Sequence, residues 1–184
     1  MEQRVHAIIE ESLATHGLLF DLIPAIRKAA QIMIESLRSG GKIMFAGNGG
    51  SAADAQHLAA ELVNRFLKER APMAGLALTT DTSVMTAIGN DYSFDDIFVK
   101  QVQAMGKKGD VLCCLSTSGN SKDIVKVLPI ARSMGIATIG LTGSGGGAMA
   151  DMVDLLIAVP SKATPRIQEC HILIGHILCE LIEG

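Results

Sequence analysis

The chain has 184 residues, with 16 Lys and Arg against 19 Asp and Glu, a formal net charge of −3, and 48% apolar residues. That is the length of one ordinary domain, with ample material for a buried core, which excludes a disordered chain. There is no basic run, no Trp, one Tyr and five Phe, so a basic, ring-lined groove for single-stranded nucleic acid is excluded, and no apolar stretch approaches the roughly 18 residues of a membrane-spanning helix.

The first 40 residues read as helix. Val5, Ile8, Ile9 and Leu13 recur at helical spacing, and a second set follows at Ile26, Ala30, Met33 and Leu37. Pro24 suits the first turn of the second helix and Gly40-Gly41 its end. The Met1–His6 start is amphipathic and unlike a signal peptide, so a soluble, cytoplasmic protein is expected. Short apolar runs then alternate with helical segments. Strands are predicted over 42–46, 74–78, 111–115, 136–141 and 155–159, and helices over 51–66, 83–89, 96–105, 121–134 and 165–182. Strands alternating with helices imply parallel crossovers, and so an α/β fold: a three-layer αβα sandwich with helices on both faces of one sheet. Cys113 and Cys114 fall inside a strand and Cys170 and Cys179 inside an apolar helix. With no CxxC among them, they read as reduced core thiols.

In such a sheet ligands bind beyond the carboxyl ends of the strands. The segments there are Gly47-Asn48-Gly49-Gly50-Ser51, Ser116-Thr117-Ser118-Gly119-Asn120-Ser121 and Thr142-Gly143-Ser144-Gly145-Gly146-Gly147. All are small, polar and uncharged, and each leads towards a helix start. Ser116–Ser121 offers four hydroxyls in six residues and no lysine, which suits a phosphate monoester better than a metal-bound triphosphate. A P-loop is absent. Gly47-x-Gly49-x-x-Ala52 matches a relaxed dinucleotide fingerprint, but the first acid after the next strand, Asp81, lies too far along the chain to confirm it.

His57 and Glu61 sit four residues apart and share a helix face among Ala52, Ala53, Ala55, Leu58, Ala59 and Ala60. Such a pair can be a metal half-site, an acid–base pair or a plain surface pair. The last helix carries Gln168, Glu169, His171 and His176. At about 100° per residue the two histidines are about 140° apart, so at most one can meet His57 and Glu61, and spacing does not choose between them. Asn90-Asp91 is explained well enough as a helix terminator.

Taken together, Gly47-Asn48-Gly49-Gly50-Ser51-Ala52-Ala53-Asp54-Ala55-Gln56-His57, Ala60-Glu61-Leu62, Gly89-Asn90-Asp91, Ser116–Ser121 and Arg166-Ile167-Gln168-Glu169-x-His171 resemble the sugar isomerase (SIS) domain, and within it the bacterial phosphoheptose isomerase family. The resemblance runs in order along nearly the whole chain. It implies one SIS domain over 1–184 with a five-stranded, flavodoxin-like parallel sheet. Residues 1–40 would pack in a homotetramer whose active sites are shared between subunits. It implies an aldose–ketose isomerase taking D-sedoheptulose 7-phosphate to D-glycero-D-manno-heptose 7-phosphate, the first step towards the nucleotide-activated heptoses of lipopolysaccharide and other surface glycans. By the same resemblance Ser116, Thr117, Ser118 and Ser121 hold the phosphate. Asn48, Gly49, Gly50, Ser51, Asn90, Asp91, Glu61 and Gln168 contact substrate, and Glu61 and His176 are the catalytic pair. His57, Glu61, Gln168 and His176 match a Zn²⁺ site. The alternative on the same fold is a non-enzymatic relative that binds the bacterial replication initiator. Some of its members lack the acid at the Glu61 position, so Glu61 and His176 favour the enzyme.

Overall fold

The computed structural model describes residues 1–184. Its N-terminal region forms α1 (Glu2–Gly17), a 3₁₀ turn (Leu18–Leu22) and α2 (Ile23–Arg38). Pro24 lies in the first turn of α2 as expected, and Gly40 closes the segment with φ +79°. The rest alternates: β1 (Ile43–Gly47), α3 (Gly50–Val63), β2 (Gly75–Ala77), α4 (Thr82–Asp91), α5 (Ile97–Met105), β3 (Val111–Ser116), α6 (Lys122–Ser133), β4 (Ala137–Thr142), β5 (Leu155–Ala158) and α7 (Thr164–Glu183). All strands pair in parallel in the order β2-β1-β3-β4-β5. This is the expected sandwich, and its strand order is the flavodoxin-like one.

The sheet is covered on both faces, which is why its central strands read as unbroken apolar runs rather than as alternation. On one face Ile43, Phe45, Cys113 and Leu115 pack against α2, α3 and α7 through Met33, Leu58, Leu62, Ile174 and Leu178. On the other, Met44, Leu112 and Cys114 meet Phe98, Val102, Ile124 and Leu128 of α5 and α6. All four cysteines are buried and unpaired. Burial pushes the Cys113 and Cys179 thiols up to about 12 and Cys170 to about 11, so they are held as inert thiols. No helix is long and apolar enough to cross a membrane.

One expectation needs correction. The helix predicted to reach residue 66 stops at Val63. Beyond it the Glu183 carboxylate, on a side chain 1% exposed, accepts the backbone N–H groups of Phe66, Leu67 and Lys68 and the Arg70 Nε–H. A distant acceptor takes the donors that further helix would have used, and nothing local in the sequence announces it. Burial alone would raise the Glu183 pKa, but these donors outweigh it and hold it at about 2. Asp81, too far along the chain for a ribose acid, is the N-cap of α4, accepting from Val84 N at 2.9 Å.

His171 is fully buried, and its Nε2–H donates to the Thr142 carbonyl at 3.0 Å. Burial, only partly offset by that bond, lowers its pKa to about 4 from 6.5. A histidine held neutral in the fold contributes stability that is complete above about pH 6.5 and is lost as the pH falls towards 4, on the order of 3 kcal/mol in all. We therefore expect thermal melts of the wild type to fall steeply between pH 6.5 and 4. In His171→Gln that segment of the profile should be shallower, which calorimetry at matched pH values would check.

Candidate active site

The site is built where α3 and α7 leave the carboxyl edge of the sheet. β1 ends at Gly47, and the chain enters α3 through Asn48 and Gly49, with Gly49 at φ +55° and no side chain capping the helix. Ser51 N closes onto Asn48 O at 2.9 Å and Ala52 N onto Gly49 O at 3.1 Å, so this start offers a ligand the positive end of the helix rather than a row of free N–H groups. Gly50 lets a neighbour in: the Gln168 carboxamide of α7 lies over it, and a Cβ there, within 2.5 Å of Oε1 and 2.7 Å of Cδ, would displace that side-chain end. The Asn48 amide donates to Asp123 at the start of α6, 3.1 Å away.

The second loop leaves β3 at Ser116. The Ser116 and Ser121 hydroxyls lie 2.9 Å apart, and Ser118 Oγ accepts from Asn120 N at 3.1 Å. Thr117 is half-buried and Ser118 exposed. The glycine-rich loop after β4 acts as its support. Gly143 N donates to Thr117 O at 3.0 Å, and Ala148 N to Asn120 Oδ1 at 2.9 Å. The loop after β4 thus spends backbone groups on holding the hydroxyl loop after β3, to which the sequence assigns the phosphate.

The chemistry-bearing side chains meet between α3 and α7. Close approach of the helices rests on Gly175, where a Cβ would come within 2.5 Å of Leu58 Cδ2. One residue on, His176 Nε2 lies 2.8 Å from His57 Nε2, and His57 Nε2 is 3.5 Å from Glu61 Oε1. Glu61 is the more enclosed of the i,i+4 pair, at 20% exposure against 43% for His57. Phe66 stacks on the His176 ring at 5.4 Å, so the segment held by Glu183 also braces this imidazole. Of the two histidines that spacing left open, packing selects His176 and consigns His171 to the core.

Asp54 is a member of this cluster that the sequence reading overlooked. It is 8% exposed, one turn before His57, with Oδ1 at 3.5 Å from Gln168 Nε2 and the other oxygen without a partner. Burial raises its pKa, against the opposing pull of Gln168, His57 and His176. Its signal was available: Asp54, His57 and Glu61 at i, i+3 and i+7 share one helix face. Asn90 and Asp91 stand apart. Both are exposed at the end of α4, and Asn90 donates to Asp91 at 2.8 Å.

The donor set of His57, Glu61, Gln168 and His176 is two imidazoles, a carboxylate and an amide oxygen, which fits a zinc ion in kind. As the side chains stand, no three His, Cys, Asp or Glu groups surround a common point as ligands of a metal.

Comparison with known proteins places the chain in a family. The SIS domain profile matches residues 6–143. The phosphoheptose isomerase of Rhodospirillum rubrum is 57% identical over 183 residues, covering 100% of this chain and 97% of the relative. That of Helicobacter hepaticus is 51% identical, covering 100% and 94%. The solved structure of the phosphoheptose isomerase from Neisseria gonorrhoeae superposes with a TM-score of 0.94 at 45% identity, covering 99% of this chain and 98% of that one. One from Francisella tularensis gives 0.95 at 39% identity, covering 98% and 96%. Similarity of this depth along the full length, on a fold and strand order that match, shows that the chain belongs to the SIS-domain family and, within it, to the phosphoheptose isomerases.

Proposed function

We propose that this protein is an aldose–ketose isomerase that converts D-sedoheptulose 7-phosphate to D-glycero-D-manno-heptose 7-phosphate, on the way to nucleotide-activated heptose. The observation that carries the reading is the convergence of Glu61, His57 and His176 between α3 and α7, two helices that start at the same sheet edge as the hydroxyl loop. Isomerisation needs a base, an acid and relief of developing negative charge. Glu61 takes the proton from C1 while His176 gives one to the C2 carbonyl oxygen. The enediol formed then passes its O1 proton to His176 as C1 becomes the aldehyde, and Glu61 returns its proton to C2, which restores both groups. Ser116, Thr117, Ser118 and Ser121 hold the phosphate, and Asn48, Gly49, Gly50, Ser51, Gln168, Asn90 and Asp91 order the sugar chain.

His57, Glu61, Gln168 and His176 would hold a Zn²⁺ ion, one per subunit, and the buried, unpartnered oxygen of Asp54 adds negative charge beside them. When bound, the ion supplies positive charge against the charge that develops on the substrate oxygens. We read residues 1–184 as one domain whose first 40 residues pack in a homotetramer. In support, α1, the turn after it and the first residue of α2 expose Val5, Ile9, Leu13, Phe20 and Ile23, and an apolar hollow lies between Leu19, Phe20, Ile23, Ile26, Leu173 and Ile177. Asn90 and Asp91 are exposed and bond to each other rather than to the cluster, which suits sites completed by a neighbouring subunit. Four unpaired thiols suit the reducing cytoplasm.

The test is an isomerase assay on sedoheptulose 7-phosphate with chelated protein, with and without added Zn²⁺. Turnover restored by zinc supports both the activity and the ligand set. No turnover under any metal condition, with the oligomer intact, would shift the reading to the initiator-binding relative. Ser118→Ala should raise KM about tenfold with kcat little changed, since it removes one hydrogen bond to a charged group. An unchanged KM in steady-state kinetics would count against the phosphate loop.

A further inference from the structure

Asp123 lies in the first turn of α6, two residues beyond the hydroxyl loop, and is 3% exposed. Its Oδ1 accepts from Asn48 Nδ2 at 3.1 Å and from Ile124 N at 2.9 Å. Its Oδ2 is buried and has no partner. A carboxylate with one oxygen sealed from water and unpaired costs stability, so its place is not explained by helix capping alone. Its one side-chain contact is with Asn48, the residue that leads from β1 into the sugar-facing segment.

That contact settles which way the Asn48 amide faces. An ionised carboxylate only accepts, so it takes the NH₂ group and leaves the Asn48 Oδ1 turned away. We infer that Asp123 is a positioning residue: it fixes Asn48 with its carbonyl oxygen free to accept from a substrate hydroxyl, and ties the sugar-contacting loop after β1 to the phosphate-binding loop after β3. Held this way, the two loops present one acceptor and a set of hydroxyl donors in fixed register, matching a polyhydroxy chain that ends in a phosphate. The inference rests on the reading of Asn48 as a substrate contact given above.

A double-mutant cycle and a structure test it. Asp123→Ala should raise KM for sedoheptulose 7-phosphate about tenfold and lower kcat less than threefold. Asp123→Asn should restore KM to within about threefold of wild type, because its amide oxygen can accept the same bond. In an Asn48→Ala background, Asp123→Ala should raise KM no further, since the partner it acts through is gone. Additive KM effects would overturn the proposal, as would loss through kcat alone. A crystal structure of the Asp123→Ala protein reads the positioning without turnover. A rotated or released Asn48 amide supports it, and an unmoved one overturns it whatever the substrate. If the wild type does not turn over sedoheptulose 7-phosphate yet Asn48 is released in the variant, the isomerase reading fails and the positioning role stands.

Discussion

Glu61→Gln is expected to lower isomerase kcat by about 10³-fold while the fold and the oligomer persist. Gln matches Glu in shape and can keep contact with His57, 3.5 Å away, so packing between α3 and α7 is preserved. What is lost is the capacity to take a proton from carbon, and removal of a general base costs roughly 10²–10⁴-fold. Single-turnover kinetics and exchange of the substrate C1 hydrogen with solvent would both follow the step. A variant within a few-fold of the wild-type rate would remove Glu61 from the role of base. His176→Gln serves as the companion: it should depress kcat as well, and the Phe66 stack should be lost with the imidazole.

The second large effect is expected at Gly119, and it is structural in origin. Gly119 sits at φ +67°, and a Cβ there would land on the backbone of Gly146, with Gly147 N 3.0 Å away. An L residue in this conformation costs about 1–2 kcal/mol before any collision. The obstruction is main chain, so it cannot rotate aside. Gly119→Ala should therefore part the two loops, breaking the bonds from Ala148 N to Asn120 and from Gly143 N to Thr117. We expect a loss of about 3 kcal/mol, a Tm lower by roughly 6–12 °C, and a KM for the sugar phosphate raised more than tenfold. Gly145→Ala is the control. Its φ is +83° but nothing lies within 4 Å of the added Cβ, so it bears the conformational strain without the collision. Equal effects of the two substitutions on KM would show that contact between the loops does not shape the phosphate site.

Most of the architecture was legible from local pattern. Five apolar runs separated by helical stretches dictate parallel strands with crossovers, because a strand buried on both faces has no alternation to show and must be covered by helices. The glycine- and hydroxyl-rich segments after β1 and β3 followed from the same logic, since the carboxyl edge is where a parallel sheet leaves backbone donors free. The pairing of His57 with Glu61 needed only the helical repeat. Other features depend on groups far apart in the chain. His171 and His176 are equivalent by spacing, and it took Gly175 packing against Leu58 to turn His176 towards His57 and seal His171 against Thr142. Asp54 shares a helix face with His57 and Glu61, but its burial beside Gln168 follows only from α7 covering that face. Glu183 stops α3 and braces Phe66 from more than a hundred residues away, and Asp123 reaches Asn48 between the ends of the neighbouring strands β1 and β3. The sequence by itself determined the layers of the fold, the binding edge and the chemistry available there, because those depend on local periodicity and on residue type. Only the tertiary structure decided which side chains face one another, because that depends on how closely helices and loops distant in the chain can approach.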